Sequence, residues 1–354
     1  MKTGIIYHER FCQYDLGVGH PFRGNRFAES RLFLREKGLD DSPDVIFIEP
    51  EMAMSEDLTK VHTRKYIDLI FRLAEFNKSY DLETPVSTKI LEGLMFIIGG
   101  AIKAGTSICK GKVGKAVNLG GGFHHAGRDY GGGFCIFNDV AILTEHLRQT
   151  YRFKRILILD FDVHFGNGTS DIFYSDPDVL YISLHQDPRT IFPGRGFIEE
   201  IGSGDGKGYN VNVPFPPRTG EATYLRALED VFEPLAEEFK PDIIIANGGS
   251  DAHFADSLGK LGVTVNGFFE MAQIVRETSD EICDGKIVLL LGSGYNPRVL
   301  PYCWYALISG ILGLEALDIQ DPYPPPKDPW RNREKVEGLL GRLRSILKEY
   351  WKCF

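Results

Sequence analysis

The sequence predicts an α/β protein: a single-domain, mostly parallel multi-stranded sheet sandwiched by helices, with its functional site at the C-terminal strand ends. Three observations carry that prediction. Short β-branched runs alternate with longer segments of helical apolar spacing, the central runs are apolar on both faces, and the residues just beyond them are unusually polar. The runs are Gly4–Tyr7, Val45–Ile48, Ala116–Leu119, Ile156–Asp160, Val179–Leu184, Ile243–Ala246 and Ile287–Leu291. Between them, Arg26–Glu36, Thr88–Cys109, Asn138–Gln149, Ala222–Phe239 and Asn266–Cys283 carry apolar residues at helical spacing. RILILD and DIIIANGG offer no polar face, as befits parallel strands covered by helices on both sides. In such sheets ligands bind beyond the carboxyl ends of the strands, so the residues there are the ones to inspect.

At 354 residues the chain is long for one domain but within the range of α/β folds. Residues 1–318 are expected to form the catalytic domain. Residues 319–354 supply a connector, with Tyr323–Pro326 and Pro329, and a helix over Arg331–Trp351 packed on the same domain. The net charge of −9 argues against unspecific binding to nucleic acid or an anionic membrane. No run reaches the roughly 18 uninterrupted apolar residues of a membrane span, and the first twenty residues lack the apolar core of a secretory signal. The expectation is a cytoplasmic protein. Cys12, Cys109, Cys135, Cys283, Cys303 and Cys353 are scattered with no CxxC pair, which points to reduced thiols rather than disulfides or a thiolate metal site.

Beyond Ile156–Leu159 come Asp160, Asp162 and His164, which share one face in extended backbone because side chains alternate with period two. Carboxylates and a neutral imidazole so arranged suit a divalent ion. Asp251, after the turn permitted by Gly248 and Gly249, is the natural third ligand beside Asp162 and His164. Two carboxylates and one imidazole leave a coordination position open for water, as catalytic zinc requires. His124 and His125 follow a glycine-rich turn, and Tyr295 sits on a glycine hinge where its hydroxyl could serve a developing oxyanion. Taken singly, each has a plain structural reading: a turn-capping aspartate, a surface histidine pair, a core tyrosine.

GGGFHHA, GGGFCIFND at Gly131–Asp139, LDFDVHFGNG at Leu159–Gly168, SLH at Ser183–His185, FPG at Phe192–Gly194, GGSDAHFAD at Gly248–Asp256 and GSGYNP at Gly292–Pro297 together resemble the histone deacetylase family, in its acetoin-utilisation and acetylpolyamine branches, over roughly residues 4–315. The resemblance implies the arginase/deacetylase fold and Zn²⁺, or Fe²⁺, held by Asp162, His164 and Asp251. It implies His125 as general base and then acid, with His124 as a second imidazole oriented by Asp160, and Tyr295 as the group that polarises the scissile carbonyl. Phe134 and Phe192 match the walls of a narrow channel for an acylated lysine, with Gly133 keeping one wall thin. Potassium is implied at Asp160, Asp162, His164, Ser183 and Leu184, and a second monovalent ion at Phe173, Asp176, Val179 and Tyr209.

Three positions depart from the family pattern. Asn167 stands where some members place an aspartate beside the second histidine, and a neutral partner favours the imidazolium less, lowering the working pKa of His125. Glu83 stands at the rim where an aspartate often holds the substrate backbone. Leu258 replaces the glutamate of polyamine-selective relatives and cannot attract a second ammonium, which favours acyl-lysine, on a protein or a small molecule, over an acetylpolyamine. A non-catalytic protein of the same fold is disfavoured because the whole functional set is intact. An arginase-type ureohydrolase would need metal-binding carboxylates where this chain has His124, His125 and Tyr295. Oligomeric state and acyl length are left open by the sequence.

Overall fold

Helix starts in this chain are written into the sequence as side-chain caps. Thr63, Ser87, Asn138 and Thr264 each accept a hydrogen bond from the backbone N–H three residues on, satisfying a donor the helix itself cannot. Helix ends use left-handed residues at Arg152, Lys240 and Gly313. In the computed structural model, which describes all 354 residues, the elements run β1 (Thr3–Ile6), α1 (Asn25–Glu36), β2 (Val45–Ile48), α2 (Ser55–Leu58), α3 (Arg64–Glu75), α4 (Thr88–Cys109), β3 (Lys115–Asn118), α5 (Asp139–Tyr151) and β4 (Ile156–Asp160). They continue with α6 (Asn167–Phe173), β5 (Val179–Gln186), β6 (Asn210–Phe215), α7 (Glu221–Phe239), β7 (Ile243–Gly249), α8 (Val265–Ile282), β8 (Ile287–Ser293), α9 (Leu300–Leu312) and α10 (Trp330–Leu347).

The eight strands make one sheet in the order β2-β1-β3-β8-β7-β4-β5-β6. The pairs β1–β2, β1–β3, β4–β5, β4–β7 and β5–β6 are all parallel, so the predicted α/β class and parallel sheet are observed. β4, β5, β6 and β7 are buried at every position, the condition that the two-sided apolar runs demanded.

Two compact units divide the chain. The first comprises residues 1–153, 166–172 and 288–292. In it, β3 pairs with β1 so that Asn118 lies opposite Ile6, and the glycine-rich turn leaves from that level. Its long helix α4 packs on α3, α5, β1 and β3. By length and composition α4 could cross a membrane, but 72% of its most apolar stretch is buried, as in a core helix.

The second unit comprises residues 154–165, 173–287 and 293–354. There Asp160 of β4 lies opposite both Asn247 of β7 and Ser183 of β5, so the segments that follow these strands leave the sheet at one level. α8 and α9 pack together, and α10 lies on α7 and β6. The C-terminus is tied down by Trp351, whose indole N–H donates to the Gly208 carbonyl at 2.7 Å.

Three well-formed elements were not among the predicted runs. β6, NVNVPF, carries two asparagines, yet Asn210 and Asn212 are buried, their amides donating to the carbonyls of Glu200 and Phe197. α9 is buried on nearly every side, so it has no apolar stripe to betray its period. α3 does carry a stripe, Tyr66, Ile67, Ile70 and Ala74, and was legible in principle.

Candidate active site

In the second unit the backbone does not stay extended beyond β4, as period-two alternation would have it, but bends at Asp162–His164, where Asp160 Oδ1 accepts the Asp162 N–H at 3.3 Å and Asp162 Oδ1 the His164 N–H at 2.8 Å. The bend is tied to both neighbouring strands, the Phe161 N–H donating to the Asn247 carbonyl and the Gln186 N–H to the Val163 carbonyl, each at 2.9 Å, and so brings Asp162 and His164 to the same place. Asp251 is brought there by the turn after β7, where Gly249 passes so close to β8 that a Cβ would lie 2.1 Å from the Ser293 carbonyl oxygen. The Ser250 N–H then bonds that carbonyl at 3.0 Å, and Asp251 Oδ1 accepts the Val163 N–H at 3.1 Å.

The result is a buried triad with one donor atom from each of Asp162, His164 and Asp251, all within 4.8 Å of one another. His164 Nδ1 is 3.0 Å from Asp162 Oδ1 and 3.3 Å from Asp251 Oδ2. Asp251 Oδ2 nevertheless has no well-directed hydrogen bond, so its contact with the imidazole is electrostatic. Burial and the neighbouring Asp162 charge push the Asp251 carboxyl up to about 7. Burial alone would depress His164, but the carboxylates of Asp162 and Asp251 beside it outweigh this and raise it to about 10. The triad thus attracts positive charge strongly enough to hold a proton on the imidazole. A divalent ion meets the same demand with the imidazole neutral. Zinc with ligands at roughly 2.0–2.1 Å has ligand–ligand edges of about 3.3 Å in a tetrahedral site, close to the observed separations. The residues present therefore fit a metal ion.

Around the triad, Asp160 accepts hydrogen bonds on both carboxylate oxygens. Its Oδ1 accepts from Asn247 Nδ2 at 3.0 Å and its Oδ2 from the Tyr181 hydroxyl at 2.8 Å. The ring of Tyr295 stands edge-on to His164, centroids 6.3 Å apart at 85°. Its backbone N–H is held at 2.7 Å by Asp256 Oδ2, a residue that sequence reasoning did not single out although it closes the GGSDAHFAD motif. His253, also unassigned from sequence, is buried and bonds Asp321 of the connector at 2.8 Å, fastening the Asp251 loop from behind. Phe192 and Leu258 are 51% and 37% exposed, available for contact with a substrate.

Of the monovalent-ion residues, Ser183 Oγ is 2.8 Å from His185 Nδ1, while His185 Nε2 faces the Gly196 carbonyl at 2.9 Å. Only an N–H serves a carbonyl, so Nδ1 is the acceptor and the Ser183 hydroxyl the donor. The Leu184 carbonyl accepts the Tyr224 hydroxyl at 3.2 Å. Phe173, Asp176 and Val179 lie in successive turns, with Asp176 N–H on the Phe173 carbonyl at 3.0 Å and Val179 N–H on the Asp176 carbonyl at 3.4 Å. Tyr209 accepts the Tyr181 N–H at 2.9 Å.

In the first unit His124 and His125 are both buried, with their Nε2 atoms 3.2 Å apart. His125 Nδ1 is 2.7 Å from Asn167 Oδ1, and Asn167 Nδ2 donates to the Tyr130 hydroxyl at 3.3 Å, which donates to Asp171 at 2.5 Å. The Asp171–Tyr130 pair thus fixes which way the Asn167 amide faces. With Oδ1 turned to His125, the imidazole carries its proton on Nδ1 and keeps a lone pair on Nε2.

The glycine loop before the histidines is held by Asp139, whose carboxylate accepts the N–H groups of Phe123 at 2.7 Å and Gly122 at 3.0 Å. Burial pushes Asp139 up to about 6 against the pull of those donors. A Cβ on Gly121 would lie 2.1 Å from the same carboxylate. Asp139 was passed over as a site residue; its signal was its place at the end of GGGFCIFND. In the same unit Gly133 precedes Phe134, which is in the left-handed region at φ 68°. Phe134 is braced by the Tyr14 hydroxyl on its carbonyl and by the edge of His20 at 4.5 Å. Glu83 is exposed on a loop where the Asp81 carboxylate caps its N–H at 2.9 Å.

Comparison with known proteins extends the geometry. Residues 20–311 match the histone deacetylase domain. The chain is 35% identical over 361 residues to a probable deacetylase of Archaeoglobus fulgidus, covering 100% of both chains. It is 34% identical over 321 residues to the acetoin utilization protein AcuC of Bacillus subtilis, covering 88% of this chain and 82% of that one. Among solved structures, the HDA15 HD domain superposes with a TM-score of 0.86 at 28% identity, covering 99% of this chain and 96% of that one.

Proposed function

The chain belongs to the histone deacetylase family and is a deacetylase, a hydrolase of amides, and on that premise we propose that it is a zinc-dependent enzyme releasing acetate from an acylated lysine of a protein or small molecule. Iron(II) suits the same donor set. The observation that carries the reading is the convergence of Asp162, His164 and Asp251 on one point next to the Tyr295 ring.

When bound, the metal ion supplies Lewis acidity to the scissile carbonyl and to water. The other steps belong to side chains. His125, with its proton fixed on Nδ1 by Asn167, takes a proton from the attacking water at Nε2 and returns one to the departing amine. His124 adds a second imidazole beside it, with Asp160 its orienting carboxylate. The Tyr295 hydroxyl donates to the carbonyl oxygen as negative charge develops there. Gly133, Phe134 and Phe192 grip the methylene stem, Glu83 serves the substrate backbone at the rim, and Leu258 presents an apolar surface that does not select for a second ammonium. Potassium at Ser183 and Leu184, and a second monovalent ion at Phe173, Asp176, Val179 and Tyr209, would stiffen the segments beneath the triad.

The test is a comparison of kcat/KM on acetyl-lysine peptides and acetylpolyamines with the metal-loaded enzyme. Higher kcat/KM on the peptides is expected. Preference for acetylpolyamines would overturn the substrate assignment, and zero turnover of every acylamide would overturn the reading as a whole.

A further inference from the structure

Three separate segments of the second unit each contribute one cation to a single cleft. Arg218 lies between β6 and α7, Lys260 in the loop after β7, and Lys327 in the proline-rich connector, and together with Phe254, Pro326 and Asp256 they line a cavity of about 530 Å³. That volume is typical of small-ligand sites. The walls are fixed to one another: the Arg218 N–H donates to the Lys260 carbonyl at 2.6 Å, the Gly262 N–H to the Thr219 carbonyl at 2.8 Å and the Gly220 N–H to Asp328 at 3.0 Å.

Neighbouring carboxylates are committed elsewhere. Asp256 spends Oδ1 on the N–H groups of Leu258 and Gly259 and Oδ2 on that of Tyr295, while Asp328 holds the Gly220 N–H and the Thr223 hydroxyl. None of the three cations has an ion-pair partner within the chain, although the chain as a whole carries a charge of −9. Like charges gathered against the sign of the whole molecule create a local field that attracts an anion. Arg218 has a φ of 67°, a conformation glycine adopts more freely than a residue with a side chain, so replacing it by glycine removes the guanidinium without straining the backbone.

We propose that this cleft binds a small anion of phosphate or carboxylate type, with Phe254 and Pro326 covering its apolar part. It goes beyond the deacetylase reading and is tested without turnover, so the two stand or fall separately. Titration calorimetry of the full-length, metal-loaded protein with inorganic phosphate and with succinate reads binding directly and tells the two chemistries apart. Arg218→Gly relieves the backbone, and the Lys260→Ala, Lys327→Ala double variant removes only exposed side chains, so both are expected to fold. Saturable one-to-one binding of at least one anion, weakened tenfold or more in each variant, is the expected result. No saturable binding of either anion, or equal binding by the variants, would overturn the proposal. So would a variant effect confined to KM for acid-flanked acetyl-lysine peptides, which would make the cations a substrate contact instead.

Discussion

At the scale of single residues, the proposed catalytic set divides by what each partner does to a proton. Asn167 presents a neutral oxygen to His125 Nδ1, and its own orientation is set by Tyr130 and Asp171. Replacing it by aspartate places a charge next to the imidazole and favours the imidazolium. Asn167→Asp is therefore expected to shift the acidic limb of kcat/KM to higher pH by about one unit or more; an unmoved limb would show that Asn167 does not tune the base. Tyr295→Phe removes one donor to the developing oxyanion and should lower kcat by about 10²–10³ with the fold intact, while an unchanged kcat would remove Tyr295 from the reaction. Asp160, Asp162, His164 and Asp251 were legible because period-two spacing and a glycine turn announce a shared strand end. Asp139, Asp256 and the Tyr130–Asp171 pair were not, because they act by holding backbone or an amide, and a carboxylate doing that work has no distinctive sequence spacing.

At the scale of elements, two contacts reverse the usual expectation. A glycine inside a helix is ordinarily improved by alanine. Within α4, however, a Cβ on Gly99 would lie 1.9 Å from the Glu51 carbonyl oxygen, a backbone atom that cannot swing aside. Gly99→Ala is thus expected to lower the melting temperature by several degrees, since roughly 1–3 kcal/mol of overpacking outweighs helix propensity; a rise in melting temperature would contradict the packing described. The second contact is His62, buried between α2 and α3, whose Nε2 accepts the Asn138 N–H at 3.0 Å. Burial lowers it from 6.5 to about 4. The unfolded chain therefore binds the extra proton between those values: the contribution is complete above pH 6.5 and is lost as pH falls toward 4, about 3 kcal/mol in all. Asp139 nearby is raised and titrates with the opposite sign, so the comparison is made against His62→Gln. Denaturant unfolding of the wild type should weaken more steeply than that of the variant between pH 6.5 and 4, and parallel pH profiles would sink the assignment.

At the scale of the whole molecule, the alternation of elements and the parallel sheet were readable because buried parallel strands leave an apolar signature on both faces. β6 and α9 escaped for opposite reasons, one carrying buried asparagines whose amide N–H groups donate to the carbonyls of Glu200 and Phe197 and the other being apolar all round. The C-terminal segment anchors to the second unit through Asp328, Asn332 and Trp351. Removal of residues 330–354 is expected to destabilise the protein in thermal unfolding, whereas an unchanged melting temperature would mean that α10 contributes no packing. A metal ion held by Asp162, His164 and Asp251 is central to the proposed reaction. Its most direct test is to strip the purified protein with a chelator, titrate zinc or iron(II) back, and follow metal content together with hydrolysis of an acetyl-lysine peptide. Activity lost on stripping and regained as occupancy approaches one metal per chain, with neither regained in Asp251→Ala, is the predicted result; hydrolysis that persists in fully metal-free protein would contradict it.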